Sequence, residues 1–245
     1  MSYCKKTVKA GSVIDVMEYH TARYGAPGQK REKKRKATPE QMAKANQRNK
    51  ARKCWHQILE NFRIGDYFIS LTYREEERPP DMETAKQDFS KFIRKLKREY
   101  RKRGHDLKWI RNIEVGSRGA WHVHLIANRI PEGMDLIMKL WPHGRVTASG
   151  MYSEGRFRKL ADYITKGPVS EPRIRESNYS TSRNLITPVP QVKHYLRYRT
   201  WRTIRIPKGY YLDPESIEEG INPWTGYPYR NYVLVKDDYD RRMLC

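Results

Sequence analysis

The stretch IEVGSRGAWHVHLI, residues 113 to 126, contains the turn of a predicted β-hairpin. It belongs to two short apolar runs, Leu107 to Val115 and Trp121 to Ala127, which are joined by the loop Gly116-Ser117-Arg118-Gly119. A short glycine-containing loop between two such runs favours an antiparallel pair of strands. The neighbouring segments can be placed around this hairpin.

The segments on either side of the hairpin alternate between strand and helix patterns. Residues 67 to 73 have the period of two that is typical of a strand, and apolar side chains from Phe89 to Tyr100 recur at helical spacing. Further along, the pattern predicts a helix near Asp135 to Leu140, a strand near Arg145 to Ala148 and a helix over Glu154 to Lys166. This order predicts an α+β fold, an antiparallel sheet of the split βαβ, ferredoxin-like type with helices packed on it.

The chain length, 245 residues, suits one sizeable catalytic domain with terminal extensions. We expect a basic N-terminal arm and helix over residues 1–62, a core over 63–168, and a basic, aromatic C-terminal extension without a second core over 169–245. In the arm, Ser12 to His20 is strand-like. The sequence Thr38-Pro39-Glu40-Gln41 predicts a helix start with Thr38 as N-cap and Gln41 completing a capping box, and the helix extends to about Asn61.

The charge of the chain favours a polyanionic partner. Lysine and arginine number 50 against 28 acidic residues, which gives a formal net charge of +22. Phosphate backbones are the commonest partner of so basic a surface, although anionic membranes and simple solubility also produce basic chains. Nucleic acid is therefore the expected partner.

Hydropathy and cysteine usage predict a soluble, cytoplasmic protein that does not enter a membrane. The sequence has a mean hydropathy of −0.93, no signal-type apolar segment, and no apolar run near the roughly 20 residues that span a bilayer. Its three cysteines, Cys4, Cys54 and Cys245, are dispersed without zinc-type spacing. Such a set fits a reducing compartment.

Two histidines lie one residue apart in the second strand of the hairpin. The period of two places His122 and His124 on one face of that strand and turns Val123 to the other. Two imidazoles there can hold a divalent ion, and Glu114 on the preceding strand offers an oxygen ligand. The alternative is a pair of packed or solvated strand histidines, so the pattern alone leaves both interpretations open.

A tyrosine on the last predicted helix lies among positive charges. Arg156, Lys159, Tyr163 and Lys166 share one flank of that helix, beside a buried apolar stripe. A tyrosine hydroxyl, with a pKa of about 10, becomes a better nucleophile when nearby positive charge favours its phenolate form. An ordinary half-buried tyrosine beside solvated lysines is the alternative.

Three segments in succession, FISLTY (68–73), IEVGSRGAWHVHLI (113–126) and ADYITK (161–166), resemble the three motifs of HUH-family rolling-circle replication initiators of plasmids and single-stranded DNA phages. The later segment NYSTSRNLITP (178–188) is similar to one found in replication-associated proteins of Gram-positive bacteria and their mobile elements. The resemblance spans about Tyr67 to Lys166.

The resemblance implies a metal-dependent tyrosine endonuclease. His122, His124 and Glu114 would bind Mg²⁺ or Mn²⁺, Tyr163 would be the covalent nucleophile, and Lys166 its cationic neighbour. A single nucleophile is implied, because Lys159 and Gly167 occupy the positions four residues before and after Tyr163. DNA contacts are expected from Thr72 in the first motif and from the cations Arg118, Arg156, Lys159 and Arg183.

The implied substrate is single-stranded DNA at a replication origin. No phosphate-binding GxxxxGK[ST] loop is present, so a separate host helicase would unwind the DNA and a host polymerase would extend it. A relaxase or single-strand transposase of a mobile element would use similar residues. A non-catalytic nucleic-acid-binding regulator is the alternative from another class.

Two further groups of residues invite competing interpretations. His143, between Pro142 and Gly144, is expected to be a turn residue and not an extra ligand. The C-terminal mixture of aromatic and cationic side chains either binds single-stranded DNA or covers the sheet as an ordinary amphipathic segment. This mixture comprises Arg183, Tyr195, Arg197, Tyr198, Arg199, Trp201 and Arg202.

Overall fold

The computed structural model describes residues 3–20, 37–116, 119–151, 154–166, 179–196, 201–222 and 224–237. In chain order, the strands are β1 (Tyr3–Ala10), β2 (Val13–His20), β3 (Tyr67–Thr72), β4 (Trp109–Val115), β5 (Trp121–Ala127), β6 (Val146–Gly150), β7 (Tyr179–Thr181), β8 (Gln191–Tyr195), β9 (Tyr210–Ile221) and β10 (Pro228–Lys236). The α-helices are α1 (Pro39–Asn61), α2 (Met82–Lys102), α3 (Gly133–Leu140) and α4 (Arg158–Thr165). The chain divides into two compact units, Asn46–Ile186 and the combined segments Met1–Ala45 and Thr187–Cys245.

The unit formed by Asn46–Ile186 is built on a five-stranded sheet of order β6-β3-β5-β4-β7. Every neighbouring pair in this sheet is antiparallel. In the succession β3, α2, β4, β5, α3, β6, the third strand inserts between the first and the second, which is the split βαβ arrangement. The predicted α+β fold class is therefore confirmed.

The two faces of this sheet differ in chemistry because side chains alternate along each strand. One face carries Leu71, Ile113 and Val123, which are fully buried in a cluster with Phe92 and Leu96 of α2. The opposite face carries polar side chains on the same three strands, among them Ser70 on β3, His124 on β5 and Glu114 on β4. The apolar face anchors the sheet, and the polar face is left for chemistry.

The other unit has a second five-stranded sheet, of order β8-β1-β2-β10-β9. Its core includes Ile14 and Val16 of β2 with Tyr232 and Leu234 of β10. The structure therefore differs from the expectation that the C-terminal segment has no core of its own. The reason is that β8 and β10 pair with N-terminal strands, so the two ends of the chain jointly bury an apolar face.

The predicted last helix is interrupted. Residues Glu154–Phe157 form a 3-10 turn, and α4 begins only at Arg158, so the expected continuous helix over Glu154 to Lys166 is wrong. Arg156 and Phe157 have φ values of +48° and +63°. The Nε1 of Trp55 donates to the carbonyl oxygen of Arg156 at 2.7 Å, and Phe157 is buried, so packing holds this left-handed break in place.

The start of α1 agrees with its predicted capping box. The backbone N–H of Gln41 donates to Thr38 Oγ1 at 3.2 Å, and the backbone N–H of Thr38 donates to Gln41 Oε1 at 3.0 Å. These two bonds satisfy donors that a helix start otherwise leaves unpaired. The predicted N-cap is confirmed.

Candidate active site

The candidate site is laid out in two rows across three strands. Thr72, His122 and Glu114 lie opposite one another in the register of β3, β5 and β4. Two residues further along each strand, Ser70, His124 and Asn112 form the second row. Because all six positions share one face of the sheet, three separate motifs of the sequence converge there.

His124 is the centre of the hydrogen-bond network. Its Nδ1 lies 3.0 Å from Ser70 Oγ, and its Nε2 lies 3.0 Å from Tyr163 Oη and 3.3 Å from Glu114 Oε2. The ring of His122 is nearly parallel to that of His124, with their centroids 6.3 Å apart. The structure thus brings together Glu114, His122, His124 and Tyr163, four of the residues predicted to do the chemistry.

Tyr163 reaches the sheet because α4 is tied down at its C-terminal end. Ala161 and Ile164 are buried on its inner side, and the side-chain amide of Gln47 donates to the carbonyl oxygen of Thr165 at 2.8 Å. The Tyr163 ring lies edge-on to Phe68, with centroids 6.0 Å apart, and 40% of the residue remains exposed. A substrate can therefore approach the hydroxyl, which is held over the histidines.

The acid–base properties of the site differ from the expectation for Tyr163. Burial raises its pKa, and the carboxylate of Glu114 raises it further. The prediction that neighbouring cations would favour the phenolate is therefore wrong for the protein without a metal ion. Burial lowers the pKa of His122, and the neighbouring His124 adds to that shift, which favours the neutral imidazole that binds metals.

No group of three His, Cys, Asp or Glu side chains in the described part of the chain is arranged as a metal-binding cluster. His124 Nε2 instead faces Tyr163 Oη and Glu114 Oε2. The donor set nevertheless fits a divalent ion, since two imidazoles and one carboxylate share a face of adjacent strands. Binding would require His124 and Glu114 to exchange their mutual contact for the ion.

The predicted cationic neighbours of Tyr163 occupy different places. Lys166 is exposed at the C-terminal cap of α4, and Lys159 is exposed one helical turn before Tyr163. Arg156 precedes the left-handed break, so helical spacing does not place it on the flank of α4. Lys159 and Lys166 are therefore the cations that the helix itself carries beside the nucleophile.

The other predicted DNA contacts are not gathered around Tyr163. Thr72 uses its hydroxyl in the sheet, where Oγ1 donates to the carbonyl oxygen of Arg145 and accepts from the Arg145 N–H, both at 3.1 Å. Arg183 is exposed in the turn after β7, beside the Trp109 end of β4, which lies about 17 Å along the strand from Glu114. Arg118 lies outside the described residues.

Two polar residues of the site were not predicted from the sequence. Ser70 contacts His124, and Asn112 donates from Nδ2 to Glu114 Oε1 at 3.1 Å and to the carbonyl oxygen of Lys166 at 3.3 Å. Each precedes a predicted site residue by two positions on its strand, namely Thr72 and Glu114. The alternation that placed the histidines on one face was the signal that could have identified both.

His143 has a more specific role than a turn residue. It lies in a bend, as predicted, but its Nδ1 is 3.0 Å from Glu77 Oε2 and its ring stacks on Tyr73. Tyr73 packs in the core on the apolar side of the sheet. His143 therefore belongs to that side and is not an extra ligand beside His124.

The described part of the C-terminal mixture covers its own sheet. Tyr195 stacks on Tyr3 with ring centroids 4.6 Å apart, and Trp201 packs edge-on against Tyr3 at 6.2 Å. The carbonyl oxygen of Arg202 accepts from Arg230 Nη2 at 2.7 Å. These contacts favour a packing role for Tyr195 and Trp201, while residues 197–199 lie outside the described part of the chain.

The fold and site define a class of protein with a split βαβ sheet that presents two histidines and a carboxylate to a tyrosine on a following helix. Residues 66–168 match the model of a protein family described as replication-associated protein ORF2. No curated protein and no solved structure matches the chain. Among the described residues, no helix is long and apolar enough to cross a membrane.

The family match covers less than half of the chain, but it includes every residue of the two site rows as well as Tyr163 and Lys166. It supports a role in replication initiation, with DNA as the partner. The match does not distinguish the replicons of Gram-positive bacteria from others, so the narrower resemblance stays a prediction.

Proposed function

We propose that this protein nicks and rejoins single-stranded DNA at a replication origin, and so initiates rolling-circle replication. The observation that carries the proposal is the 3.0 Å contact between Tyr163 Oη and His124 Nε2, on the sheet face that also holds Glu114 and His122. A hydroxyl on a helix, held against a pair of histidines that share one face of a strand, is an arrangement suited to nucleophilic chemistry.

A divalent ion, Mg²⁺ or Mn²⁺, would be held by Glu114, His122 and His124. When bound, such an ion withdraws charge from a phosphate and fixes it for in-line attack. The residues support this role from behind, because Asn112 donates to Glu114 and Ser70 contacts the inner nitrogen of His124. Such supporting bonds orient ligands and set the tautomer of a histidine.

Tyr163 would supply the nucleophilic oxygen. Its Oη forms an ester bond to the phosphorus while the bond between phosphorus and the 3′ oxygen breaks, and the 3′ oxygen takes up a proton. The products are a free 3′-hydroxyl and a 5′-phosphotyrosine, which conserves the bond for later strand joining. The exposed cations Lys159 and Lys166 would offset the negative charge that gathers on the phosphate.

The first experiment is covalent capture of DNA. Purified protein is mixed with single-stranded DNA from the intergenic region of its own replicon, with Mn²⁺ or with EDTA, and examined on a denaturing gel. We expect an adduct that requires Mn²⁺ and that disappears in Tyr163→Phe. Tyr229→Phe is the matched control, because Tyr229 bonds Glu218 on the other sheet and should leave the adduct intact.

The same gel separates the proposal from a non-catalytic regulator. Tight binding without any adduct, insensitive to EDTA, would replace the nuclease with a DNA-binding module. A relaxase or single-strand transposase would form the same adduct on DNA from a transfer origin or a transposon end. The family match favours replication, in which a host helicase exposes the strand and a host polymerase extends the 3′-hydroxyl in the cytoplasm.

A further inference from the structure

The outer face of α2 carries a dense set of positive charges that the proposed chemistry does not use. Six exposed cations line one open depression on this helix, and the only carboxylate in the same stretch of sequence is Glu99. We call these cations the α2 patch: Arg94, Lys95, Lys97, Arg98, Arg101 and Lys102. Arg94, Arg98 and Arg101 are spaced i, i+4 and i+7, so they form one stripe along the helix.

Little of this charge is neutralised within the described structure. Glu99 pairs with Lys102 at 2.9 Å and with Arg103 at 3.0 Å, while Arg98 lies 3.9 Å from the same carboxylate with 70% of its side chain exposed. Such an exposed pair contributes little. The stripe therefore retains most of its positive potential.

The patch weakens the helix that carries it. Like charges three and four residues apart destabilise a helix by about 0.2–0.5 kcal/mol per pair, and Arg94, Arg98 and Arg101 repel one another in this way. Arg101 and Lys102 lie in the last turn, where cations favour the helix dipole, but Arg94 lies two turns earlier. A polyanion bound along the stripe would remove this repulsion.

The chemistry of the surface points to a duplex. The aromatic side chains of α2, Phe89, Phe92 and Tyr100, are all buried in the core, so the patch offers no platform on which unpaired bases could stack. Single-strand binding surfaces combine charge with such platforms, whereas contacts to a duplex backbone need charge alone. The stripe from Arg94 to Arg101 is about 10 Å long, which matches about three phosphates of one strand.

We propose that the α2 patch binds the phosphate backbone of double-stranded DNA that flanks the nicking site. This inference rests on the proposed function for its biological setting. The α2 helix packs on the face of the sheet opposite to Ser70, His124 and Glu114, so the sheet separates the duplex from the unpaired strand at Tyr163. The protein would thereby hold a junction between paired and unpaired DNA.

The test measures duplex binding by the full-length protein at increasing salt. The variant Arg94→Ala/Arg98→Ala/Arg101→Ala removes the stripe while keeping residues that favour helix. Arg63→Ala/Arg129→Ala/Lys139→Ala is the matched control, with the same loss of charge at exposed positions outside the patch. A short fluorescent DNA duplex of arbitrary sequence is the probe, with an RNA duplex of the same length as competitor.

We expect the slope of log affinity against log salt to be shallower by about 2 to 3 in the α2 variant and nearly unchanged in the control. From about 50 to about 200 mM salt, the unmodified protein should therefore lose about forty-fold more affinity than the α2 variant. An identical slope in both variants would overturn the proposal. Equal displacement by the RNA duplex would also overturn it, because the patch would then not be a DNA site.

Covalent capture on a short single-stranded oligonucleotide keeps the two proposals apart. All three proteins should form the Mn²⁺-dependent adduct at the same rate, since the α2 patch lies away from Tyr163. A normal adduct with an unchanged salt slope would refute only the α2 patch. Failure of the unmodified protein to form any adduct would refute the nuclease, whatever the salt slope shows.

Discussion

Asn112 is a fully buried amide that joins the strand of Glu114 to the end of the nucleophile helix. Its Nδ2 donates both to the Glu114 carboxylate and to the carbonyl oxygen of Lys166. One side chain therefore sets the distance between a proposed metal ligand and the helix turn that follows Tyr163. We interpret Asn112 as a positioning residue that does not itself contact DNA.

Replacing Asn112 should weaken metal use more than DNA binding. Asn112→Ala removes both donated bonds, and loss of such a supporting contact typically costs about 10–100-fold in metal affinity or activity. We expect a rise of that size in the Mn²⁺ concentration for half-maximal adduct formation, with the affinity for single-stranded DNA in EDTA unchanged.

The control for this experiment is Asn128→Ala, because Asn128 makes comparable side-chain bonds to the chain around Asp106 and Lys108. That variant should leave the Mn²⁺ requirement unchanged. If Asn112→Ala also left it unchanged, Asn112 would have only a structural role.

At the scale of elements, the left-handed break before α4 determines where the nucleophile helix starts. Non-glycine residues in this conformation are strained by roughly 1–2 kcal/mol, because the Cβ atom approaches the carbonyl oxygen. At Arg156 this strain is maintained while Trp55 bonds the carbonyl oxygen of the same residue. The break directs α4 toward the sheet and lets Phe157 enter the core.

The break predicts an unusual order of stability among substitutions at Arg156. Arg156→Gly should be more stable than Arg156→Ala by about 0.5–1 kcal/mol, because glycine relieves the strain by more than its extra unfolded-state entropy costs. Both variants remove the same side chain, so its other interactions cancel in the comparison. Urea unfolding of the two proteins measures the difference, and a more stable alanine variant would contradict the left-handed conformation.

The sequence predicted the catalytic unit better than the other unit because the determinants differ in range. The alternation in β3 and β5 is local, and it correctly placed Ser70, His122 and His124 on a common face. The break at Arg156 was not predictable, since it depends on Trp55, which is 101 residues away. The raised pKa of Tyr163 was missed for the same reason, as it depends on burial and on Glu114 from another strand.

At the scale of the whole molecule, the second sheet shows what local patterns cannot reveal. Strand β1, YCKKTVKA, has too many lysines to be identified as a core strand by itself. It is a strand because it pairs with β2 and with β8, and the Cys4–His194 contact in that pairing joins residues 190 positions apart. The C-terminal aromatic side chains, left open between DNA binding and packing, take their places on this sheet.

One buried ion pair links the two ends of the chain within that sheet. Arg230 of β10 donates from Nε and Nη2 to Glu18 Oε2 of β2 at 2.9 and 2.6 Å, and both residues are buried. Lys5 lies 3.9 Å from the other carboxylate oxygen, which is too far to replace these two bonds. Removing Arg230 would therefore leave a buried carboxylate without its main partner.

We expect Arg230→Met to lower the free energy of unfolding by about 3–5 kcal/mol, as is typical when one partner of a buried pair is removed. The double variant Arg230→Met/Glu18→Leu should recover most of that loss, because two apolar side chains of similar volume need no compensating charge. Urea unfolding followed by tryptophan fluorescence would report the change through Trp201, which packs beneath Arg230. Recovery in the double variant would show that the pair matters because an unpaired charge is costly to bury; equal loss in both variants would instead assign the stability to the packing of Arg230 on Trp201 and Tyr232.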